Sequence, residues 1–155
     1  MDMLEIGTWT MTELEEQTHF SFWAALKSPL IIGADLKNIS DTSLAIYKNK
    51  DIIALNQDDA GKPALYLPKL SKEGSYQVWA GPLSSGKRQH VILVQNYGSD
   101  DVDVAFSLAD IPGLSVEKQM KIRDVWAGKA ITASAGKVSL KGVKPTQTKV
   151  LVISK

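Results

Sequence analysis

The chain has 155 residues, of which 44% are hydrophobic and 23% charged, as is usual for a globular protein. It has no cysteine, which excludes a disulfide framework and a thiolate metal site. No run reaches the roughly 18 apolar residues of a membrane span, and no signal peptide is recognisable, so no membrane partner is expected. We expect one ordinary domain or two small ones.

The net charge of +1 conceals an asymmetry. Residues 1–60 contain four lysines and ten acidic residues, a net −6, whereas residues 61–155 contain fourteen basic and seven acidic residues, a net +7. Either the two parts attract each other or their solvated surfaces simply differ. The basic residues are scattered among strand-like runs and are not clustered with aromatic residues, so nucleic-acid binding is not expected.

The beginning of the chain predicts a strand followed by a helix. Asp2–Gly7 is a short apolar strand. Thr12 and Glu15 have the spacing of a capping box, which predicts a helix over residues 13–27. Its apolar stripe is expected to consist of four residues spaced by four, with Trp23 and Ala25 beside them: Leu14, Thr18, Phe22 and Leu26.

A second strand and helix follow. Leu30–Gly33 is a continuous apolar run, typical of a strand buried on both faces of a parallel sheet. Ser40 has the character of an N-cap and predicts a helix to about Asn49, with another helical turn at Asp51–Leu55. The order strand, helix, strand, helix predicts two β/α units.

The pattern changes at Asp58–Pro63, which has turn composition and predicts a boundary between residues 1–60 and 61–155. Beyond it, short runs of apolar residues divided by Gly, Ser and Pro predict an antiparallel β-sandwich. The fold class is therefore α+β, with two β/α units followed by a sandwich. The predicted strands are Tyr76–Ala80, His90–Tyr97, Val102–Leu108, Lys118–Trp126, Val138–Leu140 and Thr148–Ser154.

Acidic residues are the first candidates for chemistry, because paired carboxylates can act as general acid, general base or nucleophile. Asp2, Asp35 and Asp58 each stand near the end of a predicted element. Asp35 follows a strand and could line a barrel active site, or it could simply cap a turn.

Other catalytic or cofactor groups are not indicated. His19 and His90 have no partner at ligand spacing, so neither a metal site nor a cofactor is expected. Trp23 and Trp79 lie in a helix and a strand and are expected in the core. Trp9 lies in a loop and is the best candidate for an exposed platform that stacks on a sugar.

Several segments together resemble glycoside hydrolase family 27, which contains α-galactosidases (melibiases) and α-N-acetylgalactosaminidases. The resemblance is specific over residues 1–60 and looser beyond, and fungal members are the most similar. The segments that carry it are Asp2–Gly7 (DMLEIG), Met11-Thr12, His19–Ala24, Lys27–Asp35 (KSPLIIGAD), Asn49–Asp58, Gln77–Leu83, Val91–Asn96 and Arg123–Trp126.

The resemblance implies a (β/α)₈ barrel followed by a β-sandwich, and a retaining mechanism with two catalytic Asp residues. Both lie on strands upstream of the Asp-Met-Leu motif, so no catalytic residue is expected in these 155 residues. Asp2 matches a pocket residue that hydrogen-bonds a galactose hydroxyl, and Met3 lies beside it. The sequence departs from the family at Met1, where Pro is usual, and at Asp59, where Asp58 is usually followed by Pro.

Three functions remain open. The chain could be an inactive part of an α-galactosidase, a part of an active enzyme completed by another chain or a processed segment, or a galactose-binding or protein-interaction module that uses the sandwich and Trp9. Two β/α units cannot close a barrel, so we expect the apolar face at Ile31-Ile32 to pack on the sandwich, to form a homodimer or to pair with another chain. The resemblance also implies a secreted protein, whose export signal would lie upstream of Met1.

Overall fold

The computed structural model describes residues 3–84, 88–117 and 120–154. Three helices precede eight strands, and two short 3₁₀ turns lie between strands. The elements are α1 (Glu13–Ala25), α2 (Asp41–Tyr47), α3 (Lys50–Asn56), β1 (Leu65–Tyr66), β2 (Tyr76–Pro82), β3 (Arg88–Asn96), β4 (Val102–Ser107), β5 (Lys121–Asp124), β6 (Lys129–Ile131), β7 (Lys137–Val143) and β8 (Thr148–Ser154), with 3₁₀ turns at Pro68–Leu70 and Leu108–Asp110.

The strands form two antiparallel sheets. The larger has six strands in the order β1-β2-β3-β8-β5-β6, and the smaller pairs β4 with β7. The predicted sandwich is confirmed, and a strand exists at each of the six predicted places. Lys118 and Gln119, the first two residues of the predicted strand Lys118–Trp126, lie outside the described residues. The sequence analysis missed β1 and β6, because two or three residues are too few to show an alternating pattern.

The centre of the large sheet is buried on both faces. In β3, Leu93 packs in a core towards the helices, whereas the neighbouring Ile92 and Val94 pack in a second core towards β4 and β7. In β8, Val150 and Leu151 divide in the same way. These two strands therefore have continuous apolar runs although the sheet is antiparallel, because helices cover one face and the small sheet covers the other.

Helix α1 packs against both the other helices and the large sheet. The expected stripe is confirmed at Trp23 and Ala25, which are buried, and is wrong for the four residues spaced by four, which are only partly buried: Leu14, Thr18, Phe22 and Leu26. The side chains that α1 buries most completely are Glu16, Phe20, Ser21, Trp23, Ala24 and Ala25. The helix is covered on two sides, so one stripe does not describe its contacts.

Polar contacts join the helices to the sheet. The Trp126 indole N–H donates to Ser21 Oγ at 2.9 Å, and Thr18 Oγ1 donates to the carbonyl oxygen of Thr146 at 2.7 Å. Among the described residues, one ion pair links the acidic first part to the basic second part, Arg123 to Asp51 at 2.6 Å. The two oppositely charged parts are thus joined by at least one direct ion pair.

The two predicted N-terminal strands are reduced to one parallel bridge between Leu4 and Ile32. The Leu4 N–H donates to the Ile31 carbonyl at 2.7 Å, and the Gly33 N–H donates to the Leu4 carbonyl at 2.9 Å. The expectation that Leu30–Gly33 is buried on both faces is wrong: Ile31 is 55% exposed and Ile32 45%. No other strand among the described residues lies beside this pair, so its outer side remains open.

The predicted helix starts are confirmed at atomic detail. Thr12 and Glu15 form the reciprocal capping box, and the Ser40 side chain caps α2 by accepting from the Ser43 N–H. Within the described part of the chain, no helix is long and apolar enough to cross a membrane.

Candidate functional site

Two loops leave the same edge of the parallel bridge and define the candidate site. Residues 5–12 connect Leu4 to α1, and residues 33–40 connect Ile32 to α2. Both bridge segments run in the same direction, so both loops emerge at their carboxyl ends. In β/α folds this edge carries the binding residues.

Of the expected sugar-binding pair, Met3 directly precedes the bridge residue Leu4. Asp2 lies outside the residues that the structure describes. Met3 is 45% exposed and packs close to Gly33. A Cβ atom at Gly33 would lie 2.6 Å from Met3 Sδ and 2.8 Å from the Leu4 carbonyl oxygen. Because that carbonyl belongs to the bridge, only glycine allows the two segments to approach this closely.

The buried carboxylate of Glu16 holds the two loops together. Its side chain accepts from the Gly7 N–H at 2.7 Å and from Ser43 Oγ at 2.8 Å. Gly7 has a φ of +81°, and a Cβ atom there would lie 2.8 Å from Ile39. A single carboxylate from α1 thus fixes the first loop and the start of α2, and a glycine is required between them.

Trp9 stands at the outer end of the first loop. It is 76% exposed and has a φ of +66°, a conformation that is rare for residues with a side chain. A cavity of about 270 Å³ opens beside it. The residues that line this cavity are Gly7, Trp9, Met11, Glu13, Glu16, Ser40, Thr42 and Ser43.

Asp35 and Asp58, the other acidic candidates, serve in turns. Asp35 accepts from the Lys37 N–H at 3.0 Å and from Asn38 Nδ2 at 2.6 Å, and these two bonds lower the pKa of its carboxyl group. The buried Asp58 accepts from the Ser84 N–H at 2.9 Å. Asp35 therefore caps a turn, which is one of the two alternatives that the sequence left open. The structure does not bring Asp35 and Asp58 together.

The histidines also have structural contacts. Nε2 of His19 accepts from the Glu5 N–H at 3.3 Å, and its ring lies 5.4 Å from that of Trp23. Partial burial lowers the pKa of His19, and the charges of Glu5 and Glu16 oppose that shift. His90 is buried in β3. In residues 3–84, 88–117 and 120–154, no group of three His, Asp or Glu side chains is placed to hold a metal ion.

The tryptophans expected in the core are in contact with it. Trp23 is buried, and Trp79 packs against the core between the helices and the sheet. Sequence reasoning missed Glu16 and Ser43, which are polar residues inside an otherwise apolar contact. The one available signal for Glu16 is its spacing of four from Phe20 on the helix, which places both on the same buried side.

The described residues form a strand-and-helix edge joined to an antiparallel sandwich. Residues 73–153 match the family described as the alpha galactosidase C-terminal beta sandwich domain, and residues 1–58 match the family described as Alpha galactosidase A. The chain therefore belongs to the α-galactosidase (melibiase) family, and the resemblance found in the sequence is confirmed.

Individual relatives agree with this assignment. Probable alpha-galactosidase D of Aspergillus niger is 45% identical over 132 residues, which are 83% of this chain and 19% of that protein. The alpha-galactosidase of Lachancea cidri is 39% identical over 153 residues, covering 89% of this chain and 32% of that one. The chain thus spans about a fifth to a third of the length of these relatives.

Solved structures show the same arrangement. Alpha-galactosidase I from Mortierella vinacea superposes with a TM-score of 0.84 at 30% identity, over 98% of this chain and 38% of that one. The α-galactosidase of Saccharomyces cerevisiae with raffinose superposes with a TM-score of 0.77 at 26% identity, over 98% of this chain and 46% of that one.

Proposed function

We propose that these residues form the C-terminal part of an α-galactosidase-like glycoside hydrolase that releases terminal α-galactosyl residues with retention. In this proposal, residues 1–60 contribute the last two β/α units, and residues 61–155 are the sandwich that supports them. The two family matches, which end at residue 58 and begin at residue 73, support this division. Secretion, which the resemblance implies, is part of the same proposal.

The observation that carries the proposal is the open parallel edge. Met3, Ile31 and Ile32 expose large apolar side chains beside a bridge of only two segments. Parallel strands are normally covered on both faces, and large contiguous apolar patches usually mark contact surfaces. Further β/α units, from a preceding segment or from another chain, would cover this edge and complete the pocket.

The proposed role of this part is to bind substrate. The Asp2 carboxylate would accept a hydrogen bond from a galactose hydroxyl, a charge-assisted contact stronger than a neutral one. Met3, held by its approach to Gly33, would provide an apolar contact beside it. This assignment rests on the position of both residues in the family motif.

The proposal also states that these 155 residues alone do not hydrolyse galactosides. A retaining mechanism needs two carboxyl groups about 5–5.5 Å apart, one to attack and one to protonate. Glu13 and Glu16 share a cavity, but Glu16 accepts from the Gly7 N–H and from Ser43, and so holds the loops in place. The capping and turn contacts of Glu15, Asp35 and Asp58 serve the fold in the same way.

The test is the hydrolysis of a nitrophenyl α-galactoside by two purified proteins. One is the 155-residue chain alone, and the other is a chimera in which the preceding segment of the Aspergillus niger relative is joined to residue 1. We expect no turnover by the chain and turnover by the chimera, which Asp2→Asn should strongly reduce. As a matched control, Asp35→Asn in the chimera should leave the activity nearly unchanged.

Turnover by the chain alone would contradict the proposal, and Glu13→Gln and Glu16→Gln would then identify the acids responsible. A chimera that folds, as shown by a cooperative melting transition, but has no activity would also count against it. Binding of an apolar dye gives a separate readout: the dye should bind the chain at its open edge and bind the chimera less.

A second candidate function is a galactose-binding or protein-interaction module on the sandwich. The observation in its favour is the edge strand β1, where Leu65 and Tyr66 are exposed and the Tyr66 ring lies 5.3 Å from that of Trp79. If this surface binds galactose, Tyr66→Ala should abolish binding by the isolated chain. Binding unaffected by Tyr66→Ala would exclude this surface as the galactose site.

A further inference from the structure

We propose that Trp9 and the cavity beside it bind a second sugar ring of an α-galactoside, outside the pocket that would take the terminal galactose. This inference rests on the proposed function for its substrate. The evidence for a site comes from the geometry of the loop and from the chemistry of the cavity.

Trp9 combines an exposed side chain with an unfavourable backbone conformation. Its indole is 76% exposed, and its φ of +66° is unfavourable for any residue with a Cβ atom. Hydrogen bonds on both sides maintain the turn: Thr8 Oγ1 donates to the Glu5 carbonyl at 2.7 Å and lies 3.0 Å from Thr10 Oγ1. A strained backbone that holds a large aromatic ring in water is a feature typical of ligand contacts.

The cavity has the chemistry that a sugar ring requires. The indole offers an apolar face on which the C–H face of a pyranose can stack. The exposed carboxylate of Glu13 can accept bonds from sugar hydroxyls, and the hydroxyl group of Thr42 can donate or accept. Its volume of about 270 Å³ suits a single ring better than an extended ligand.

The floor of the cavity is already fixed without a ligand. Glu16 is only 4% exposed, and both of its oxygens accept hydrogen bonds, from the Gly7 N–H at 2.7 Å and from Ser43 Oγ at 2.8 Å. A ligand would therefore meet a preorganised surface and would lose little free energy in ordering it.

A cationic ligand fits the cavity less well. Quaternary ammonium groups are usually recognised by several aromatic rings that form a cage, and Trp9 is the only aromatic residue that lines this cavity among the described residues. The Glu16 charge is already engaged by an N–H and a hydroxyl group. Neutral hydroxyl groups match the remaining acceptors and donors.

The position of the cavity indicates which sugar would occupy it. It lies between the loops that follow Leu4 and Ile32, at the edge where Met3 stands. In the proposed function, the terminal galactose is bound at this same edge. The ring on Trp9 would be the sugar attached to the terminal galactose.

The experiment is an NMR titration of the isotopically labelled 155-residue chain. Each of the four tryptophans gives one indole N–H resonance, so Trp23, Trp79 and Trp126 serve as internal controls. Raffinose, galactose, maltotriose and choline are titrated separately, each to about 100 mM. Trp9→Gly identifies the Trp9 resonance and removes the ring while remaining compatible with the positive φ.

We expect raffinose to shift the Trp9 resonance saturably and to leave the other three nearly unchanged. Galactose and maltotriose should bind at least about tenfold more weakly at this site. In variants without the Trp9 indole, raffinose binding is followed by the backbone amide resonance of Thr42. Trp9→Gly should weaken the binding about tenfold or more, and Trp9→Phe should retain most of it. Thr42→Val, which removes a lining hydroxyl, should weaken binding while the Trp9 resonance still shifts.

Three outcomes would overturn the inference: no shift of Trp9 with raffinose, an equal response to galactose alone, or saturation by choline. None of them bears on whether the chimera hydrolyses a galactoside. Conversely, turnover by the chain alone would refute the proposed function and leave the titration result standing. The two proposals therefore fail separately.

Discussion

The centre of the large sheet and the Leu4–Ile32 edge differ in how completely their apolar residues are covered. Ile92 and Leu93 are fully buried because helices lie on one face and the small sheet lies on the other. Ile31 and Ile32 are equally apolar but about half exposed. The large sheet of the sandwich is thus covered on both faces, whereas the N-terminal edge has an exposed apolar surface that another segment or chain can cover.

The largest effect should follow from a cavity in the completed region. Leu151→Ala removes a fully buried side chain from the centre of β8 and should lower the free energy of unfolding by about 2–5 kcal/mol. Ile31→Ala, at the open edge, should change it by less than about 0.5 kcal/mol. Urea denaturation measures both, and a similar loss for the two variants would mean that the edge is covered in solution.

A smaller effect is expected at Glu16, whose carboxylate holds the two loops together. Glu16→Ala leaves the Gly7 N–H and Ser43 without their acceptor and should cost about 1–3 kcal/mol of unfolding free energy. Glu16→Gln keeps an acceptor oxygen and should cost less. Glu13→Ala is the matched control on the same helix and cavity. A loss of unfolding free energy as large as that of Glu16→Ala would contradict the role of Glu16 in holding the loops together.

The smallest effect should appear in the pH dependence of the edge. The pKa of His19 is lowered by burial, so the folded protein binds its proton less readily than the unfolded chain does. The neutral His19 contributes fully to the free energy of unfolding at pH values above its pKa in the unfolded chain, about 6.5. This contribution is lost as the pH falls through its lower pKa in the folded protein. Thermal melts between about pH 7.5 and 5 should show this decline.

His19→Gln should reduce the decline in that range. Asp35 affects the stability in a different pH range. Hydrogen bonds lower the pKa of its carboxyl group, so its contribution to the free energy of unfolding is lost only as the pH falls below about 4. A decline between pH 7.5 and 5 that is unchanged in His19→Gln would assign it to other groups.

Local features of the fold could be predicted because the interactions that produce them are local. The capping box of Thr12 and Glu15 and the N-cap of Ser40 involve residues three apart, and both occur as expected. The strand β4 lies within the predicted range Val102–Leu108, and its burial alternates, with Val104 and Phe106 buried and Ala105 between them exposed. The family could be predicted as well, since its motifs follow one another along the chain.

The sequence by itself determined the three helices, the caps of the first two, the six longer strands of the sandwich and the family to which the chain belongs. Only the tertiary structure decided which faces are buried, since α1 packs on two sides and β3 and β8 on both faces. It also revealed that Glu16 holds the two loops together and that the exposed Trp9 has a left-handed backbone conformation. The physical reason is that burial and backbone strain depend on neighbours distant in sequence, which no local pattern specifies.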